Sequence, residues 1–219
     1  MKIRLFGVFF LLVSCFVFGQ KTKNRFLGSD ILQLPSTSLN ANYSLEVKPY
    51  FTSVIDLGYT INYIKSFDFI GNLLTSHCDC ANLGYEMNNI SGGYFKFGGY
   101  YNLRNDFKKH NYFHLGVFLT SSIVHENGYY TQLIGETLPP HEPLVPVSHT
   151  VFVPGLNFKG GFVLSLSKKW AMDVDFQVSL PGENYNTLYG YRNYIPGMGY
   201  RDVVKAWYPM LICNLKYRL

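Results

Sequence analysis

Four groups of residues have types and spacings that could carry chemistry. His77-Cys78-Asp79-Cys80 packs soft and borderline ligands into four positions, a composition that suits copper or zinc. A closed site needs a further ligand, and none stands at the usual spacing, so a loop thiol pair or a local disulfide in an oxidising compartment is the plainer reading. His141, Glu142, Ser148 and His149 hold the ingredients of nucleophilic catalysis, which needs a nucleophile, a base within hydrogen-bond reach and an orienting acid. Ser148 and His149 are adjacent, however, and adjacent strand residues point apart. Asp173 and Asp175 share a face two residues apart and could do acid–base work; with interior Lys and Arg available, an ion-pair plug is favoured, and His114 reads as a satisfied interior histidine. The sequence therefore assigns no catalytic residue, no metal ligand and no cofactor. The fourth group is the stretch 185–202, YNTLYGYRNYIPGMGYRD. Its Tyr189, Tyr191, Arg192, Tyr194 and Arg201 are the candidate binding residues, because Tyr and Arg dominate binding hot spots. A self-packed lid stiffened by Pro196 is the equal alternative.

The elements that must position these residues are strands. In WAMDVDFQVSL, residues 170–180, Trp170, Met172, Val174, Phe176, Val178 and Leu180 alternate with Ala171, Asp173, Asp175, Gln177 and Ser179, the period of a strand with two unlike faces. Eight such segments follow one another: 25–34, 38–47, 51–63, 91–104, 111–124, 151–167, 170–180 and 207–219. Their connections run short, short, long, short, long, short, long, with the long ones at 64–90, 125–150 and 181–206. An even strand count with short turns at one end and long loops at the other is the rule of membrane barrels. Most segments exceed the roughly 9–11 residues of a tilted span. The polar face carries Glu46, Asp56, Asp173 and Asp175 against Lys96, Arg104, Lys159, Lys216 and Arg218, so the apolar face is expected to meet lipid and the charges to pair across the lumen. Aromatic belts are expected from Phe51, Tyr101, Phe113, Trp170 and Tyr217 at one edge and Tyr63, Phe152 and Trp207 at the other. Pro154 and Pro209 are expected near strand starts, where a missing N–H is tolerated. The fold class is thus all-β, an eight-stranded antiparallel up-and-down transmembrane β-barrel.

The N-terminus supports export. Lys2 and Arg4 precede an apolar run from Leu5 to Phe18, too short to span a bilayer and fit for a signal peptide at 1–19, with the barrel domain at 20–219. Leu12-Val13-Ser14-Cys15 also fits a lipidation motif, although Phe16-Val17-Phe18 continues the apolar run where lipoproteins turn polar. Aromatics form 17% of the chain and charges 15%, the balance of an outer-membrane barrel. The net charge of +5 is too weak a bias for nucleic acid. Cys78, Cys80 and Cys213 remain after cleavage, an odd number that defines no disulfide framework.

The signal ending in FGQ, the eight spans and the terminal strand PMLICNLKYRL resemble the small outer-membrane β-barrel proteins of Bacteroidetes-type bacteria. The terminal strand resembles a barrel-assembly signal, with Leu219 where an aromatic is usual and Tyr217 two residues before it. The resemblance implies residence in the cell outer membrane. It supplies no catalytic residue. The leading expectation is a non-enzymatic structural or binding barrel, with outer-membrane lipid, lipopolysaccharide or a partner protein at its extracellular loops. The alternatives are a lipid A-modifying acyl hydrolase or transferase, and a small pore.

Overall fold

A computed structural model describes residues 24–35, 37–63, 73–74, 85–108, 110–130, 145–182, 194–200 and 207–219. Eight strands form a closed barrel: β1 (Asn24–Asp30), β2 (Ser38–Lys48), β3 (Phe51–Thr60), β4 (Tyr85–Asn102), β5 (Tyr112–Tyr130), β6 (Val145–Ser165), β7 (Trp170–Pro181) and β10 (Tyr208–Arg218). Between β7 and β10, β8 (Tyr194–Ile195) and β9 (Gly199–Tyr200) make a separate small hairpin. Each barrel strand pairs antiparallel with its neighbours along the chain, and β1 closes the ring against β10, with Phe26 opposite Arg218 and Asp30 opposite Asn214. The expected fold class is the observed one: all-β, eight strands, closed and antiparallel.

The two faces of WAMDVDFQVSL separate as its alternation requires. Asp173, Asp175, Gln177 and Ser179 point inward and are fully buried, while Trp170, Phe176 and Leu180 are exposed on the outer wall. The same holds around the ring. Leu115 and Leu119 are each 60% exposed, whereas Lys96, His114 and Lys159 on inward positions are at most 3% exposed. The outer wall is a band of Leu, Val, Ile, Phe and Tyr side chains, and the charges are inside. At its short-turn edge, Trp170 packs edge-on against Tyr217 at 5.1 Å between ring centres, and Phe113 lies 4.6 Å from Phe162.

Several boundaries differ from the sequence reading. The polar stretches at the starts and ends of β4, β5 and β6 are strand, not loop: Tyr85 pairs with Tyr130, Ser91 with His125 and Tyr130 with Val145. Ladder hydrogen bonds are made by the backbone, so Asn, His and Gly side chains do not end them. Conversely, β1 stops at Asp30 rather than Leu34, because the Asp30 carboxylate accepts the N–H of Leu32 at 3.0 Å and of Cys213 at 3.0 Å, turning the chain. β3 stops at Thr60 and the chain bends, so alternation no longer carries Tyr63 outward; Tyr63 is buried, not part of an aromatic belt. Pro154 lies well inside β6, at the point where pairing with β7 gives out (Gly155 opposite Pro181), and its carbonyl accepts the Gly182 N–H at 2.7 Å. Pro209 is the second residue of β10, as expected.

Candidate functional site

Most of the buried charged side chains among the described residues converge in the lumen, which is built in layers. Its central layer is charged. His114 Nε2 lies 2.5 Å from Asp175 Oδ1 and 3.2 Å from Asp173 Oδ1. The Tyr100 hydroxyl donates to Asp175 Oδ2 at 2.6 Å, and the Lys216 ammonium donates to Asp173 Oδ2 at 2.5 Å. Lys96 donates to Gln177 Oε1 at 3.1 Å and sits 3.8 Å from Asp56, which also accepts from Tyr94 at 3.2 Å. Nearer the short turns, Arg104 pairs with Glu46, which accepts from Tyr112 at 3.1 Å as well. The expected ion-pair plug is therefore present, and His114 is the satisfied interior histidine that the sequence suggests.

Room for this layer comes from glycine. Gly98 stands opposite Phe118, Gly116 opposite Tyr100, and Gly161 between His114 and Asp175. A Cβ on Gly116 would lie 2.6 Å from the Tyr100 ring and 2.8 Å from the Phe118 ring. Inward positions that alternate small and large let a narrow barrel fill its lumen.

The ligating atoms of His114, Asp173 and Asp175 lie within 4.8 Å of one another, so this trio is the described group that could hold a divalent ion. The surrounding charge argues for ion pairing instead. Asp56, Asp173 and Asp175 already face Lys96, Lys159 and Lys216, all buried, and one imidazole N–H can serve only one of the two carboxylate oxygens nearest it. Lys159 carries no hydrogen bond on its ammonium among the described residues and sits 4.6 Å over the Phe118 ring. An unpaired buried polar group costs about 1–3 kcal/mol. Lys159→Met relieves an unpaired buried ammonium but also removes a cation that faces the lumenal aspartates, so it is expected to change the folding free energy by no more than about 1 kcal/mol. Lys216→Met strands Asp173 and is expected to lower it by about 3–5 kcal/mol. Guanidinium titrations of the two variants in detergent micelles check the contrast.

The third layer is apolar; the sequence reading offered a lid at this stretch but not the barrel side chains that receive it. The hairpin β8–β9 is folded into the mouth opposite the short turns, where Tyr194, Ile195, Met198 and Tyr200 form one buried cluster with Tyr63, Ile90, Val124, Val151, Val153 and Tyr208. Pro196-Gly197 makes its turn, with φ +77° at Gly197 and Met198 N–H donating to Ile195 O at 2.9 Å, the geometry that Pro and Gly at the two central positions favour. Barrel side chains hold the turn: Ser122 donates to Pro196 O at 2.9 Å, Gln177 to Gly197 O at 3.1 Å, and Ser179 to Met198 O at 2.6 Å. The available signal was the pattern Tyr-Ile-Pro-Gly-Met-Gly-Tyr itself, a turn flanked by apolar residues, together with Phe118, Val124 and Val153 at inward parity.

Of the candidate binding residues, Tyr194 is described. It is 1% exposed, its ring stacked 4.8 Å from Tyr63 and its hydroxyl donating to Gln33 Oε1 at 3.0 Å. It lies inside the mouth, in the position of the lid alternative. Tyr189, Tyr191, Arg192 and Arg201 lie outside the described residues, as do the His77–Cys80 group, His141, Glu142 and the signal segment 1–19. Ser148 and His149 sit on β6 with Ser148 exposed and His149 half-buried, on opposite faces. Cys213 is a free, buried thiol.

Comparison with known proteins gives no matching family model and no matching curated relative.

Proposed function

We propose that this chain is an outer-membrane barrel with a sealed lumen, acting as a non-enzymatic structural or binding protein through the end where the long connections emerge. The observation that carries the reading is the inverted distribution of polarity: Asp173, Asp175 and Lys96 buried inside, Leu115, Val117, Leu119, Phe95 and Phe158 exposed outside. In water an outer wall of this kind invites association. In a bilayer it is the surface the solvent requires. The signal-like N-terminus and the Trp170–Tyr217 pair at the barrel edge fit that setting. Outer-membrane lipid and lipopolysaccharide then surround the wall, and a partner protein is reached through the long loops.

A lipid-modifying enzyme would need a nucleophile and base within reach, and Ser148 and His149 on opposite faces of β6 do not supply the pair. A pore would need an open lumen, and both the apolar and the charged layers fill it.

Val117 tests the setting. It is 51% exposed midway along the barrel part of β5. In a bilayer Val117→Arg is expected to lose roughly 2–4 kcal/mol. On the wall of a barrel in water the same change should stay within about 0.5 kcal/mol. Refolding into lipid vesicles, followed by the difference in gel mobility between heated and unheated samples, reads the loss. A variant that inserts as well as the parent removes the membrane reading.

A further inference from the structure

The mouth at the short-turn end holds a recess that the sealed lumen does not use. It is open to solvent and is lined by Arg104, His110, Lys168, Lys169 and Arg218 with Glu46 the single acid. Glu46 is already committed to Arg104, Tyr112 and the Asn24 side chain. Arg218 is placed differently. Its guanidinium carbon lies 5.4 Å from the Phe26 ring, and its Nε, shielded from solvent, has no hydrogen-bond partner among the described residues. Lys168 and Lys169 stand on an exposed turn fixed by Ser167, whose Oγ accepts the N–H groups of Lys169 at 3.2 Å and Trp170 at 3.1 Å. Asp106 is at the same end but accepts the Lys108 N–H at 3.2 Å within its own turn.

We infer that this recess is a binding site for a phosphate group. A guanidinium held against an aromatic face with donors to spare is suited to the fork geometry of phosphate and carboxylate. The choice between them follows from charge. Arg104, Lys168, Lys169 and Arg218 against Glu46 leave a surplus of three positive charges with His110 neutral, and a concave cationic site favours a dianion over a monoanion. The hydroxyls of Tyr112 and Ser165 also line the recess, but their protons go to Glu46 at 3.1 Å and to the Ser167 carbonyl at 3.2 Å, so the cationic side chains carry the recognition. A phosphate monoester reaches the site either free in solution or as a lipid headgroup. The inference is independent of where the barrel resides, since the recess belongs to the folded chain.

The test uses the folded barrel in zwitterionic micelles, titrated with inorganic phosphate at constant ionic strength and followed by calorimetry and by the fluorescence of Trp170, which lines the recess, in a Trp207→Phe background. Saturable binding is expected, weakened at least tenfold by Arg218→Gln and comparably by Lys168→Gln with Lys169→Gln. The lysine pair is exposed, so it keeps the test alive if the strand-end arginine variant fails to fold. Nanodiscs with and without phosphatidic acid separate the sources: competition with inorganic phosphate for the same Trp170 signal marks the headgroup as a ligand, and its absence restricts the site to free phosphate. Non-saturable binding, binding indifferent to both variants, or tighter binding of glutarate than of phosphate would overturn the inference, the last in favour of a carboxylate-bearing partner. None of these outcomes depends on vesicle insertion, so failure of the membrane reading is seen separately.

Discussion

Replacing Asp175 with alanine is expected to destabilise the folded barrel by about 3–5 kcal/mol. Asp175 is fully buried, and each of its oxygens is engaged, one by His114 and one by Tyr100. Removing it leaves the buried Tyr100 hydroxyl without its acceptor, leaves His114 with only the longer contact to Asp173 at 3.2 Å, and takes away one of the buried acids that face the lumenal lysines. Breaking a buried network by deleting one partner is costly because the remaining charge cannot return to water. Asp175→Asn preserves the shape and an acceptor for Tyr100, so it should fall between parent and alanine variant. His114→Ala and Asp175→Ala together should cost less than the sum of the two, since they share one interaction. Guanidinium unfolding in micelles, read by tryptophan fluorescence, supplies the free energies. An Asp175→Ala loss below about 0.5 kcal/mol, the range of an ordinary surface change, would mean that the charged layer does not bear on stability.

How far the sequence discloses this molecule depends on which physical rule each residue obeys. Alternation along a ladder is a local property, so Asp173, Asp175 and Lys216 could be placed inside, and Leu115 and Phe176 outside, from the chain alone. The ion pairs followed, because few inward positions are charged and they have only one another. Tyr63 escaped because the bend after Thr60 resets the parity, and nothing in the residues 61–63 announces on which side the chain resumes. The strand ends at Tyr85–Ile90 and His125–Tyr130 escaped for the opposite reason: their side chains look like loop, while the backbone pairing that decides the matter is between segments distant in sequence. Phe118 and Gly98 show the limit most clearly. Each alone is an exception to its face, a large apolar residue turned inward and a glycine in mid-strand. Only the cross-strand register, which sets one opposite the other, explains both. The Tyr194–Tyr200 hairpin could be suspected as a lid from Pro196-Gly197, but its insertion depends on Val124, Val151 and Val153 lining the mouth, a tertiary fact.

That hairpin bears the second large prediction. A loop standing outside the alternating spans should be removable at little cost, since closure entropy varies slowly with length. Residues 194–200 are not such a loop: Ile195 and Met198 are completely buried, and Gln177 and Ser179 donate to the carbonyls of the turn. Ile195→Ala is therefore expected to cost about 2–5 kcal/mol, the range for truncating a large aliphatic side chain in a packed core. Replacing 194–200 by a Gly/Ser linker should cost at least as much. Conductance should nevertheless stay at the baseline of a protein-free bilayer, because beneath the hairpin the lumen is closed a second time, by Tyr100, Phe118 and Val54 packed together and by the charged layer beside them. The apolar hairpin and the filled waist act in series, and ions pass only if both are opened. Adding Phe118→Ala to the linker variant should then give measurable current, provided the barrel still shows its unheated gel mobility. If the linker variant alone conducts, the hairpin is the sole seal and the waist is permeable to ions. If it neither conducts nor loses stability, the hairpin is a passenger in the mouth rather than part of the core.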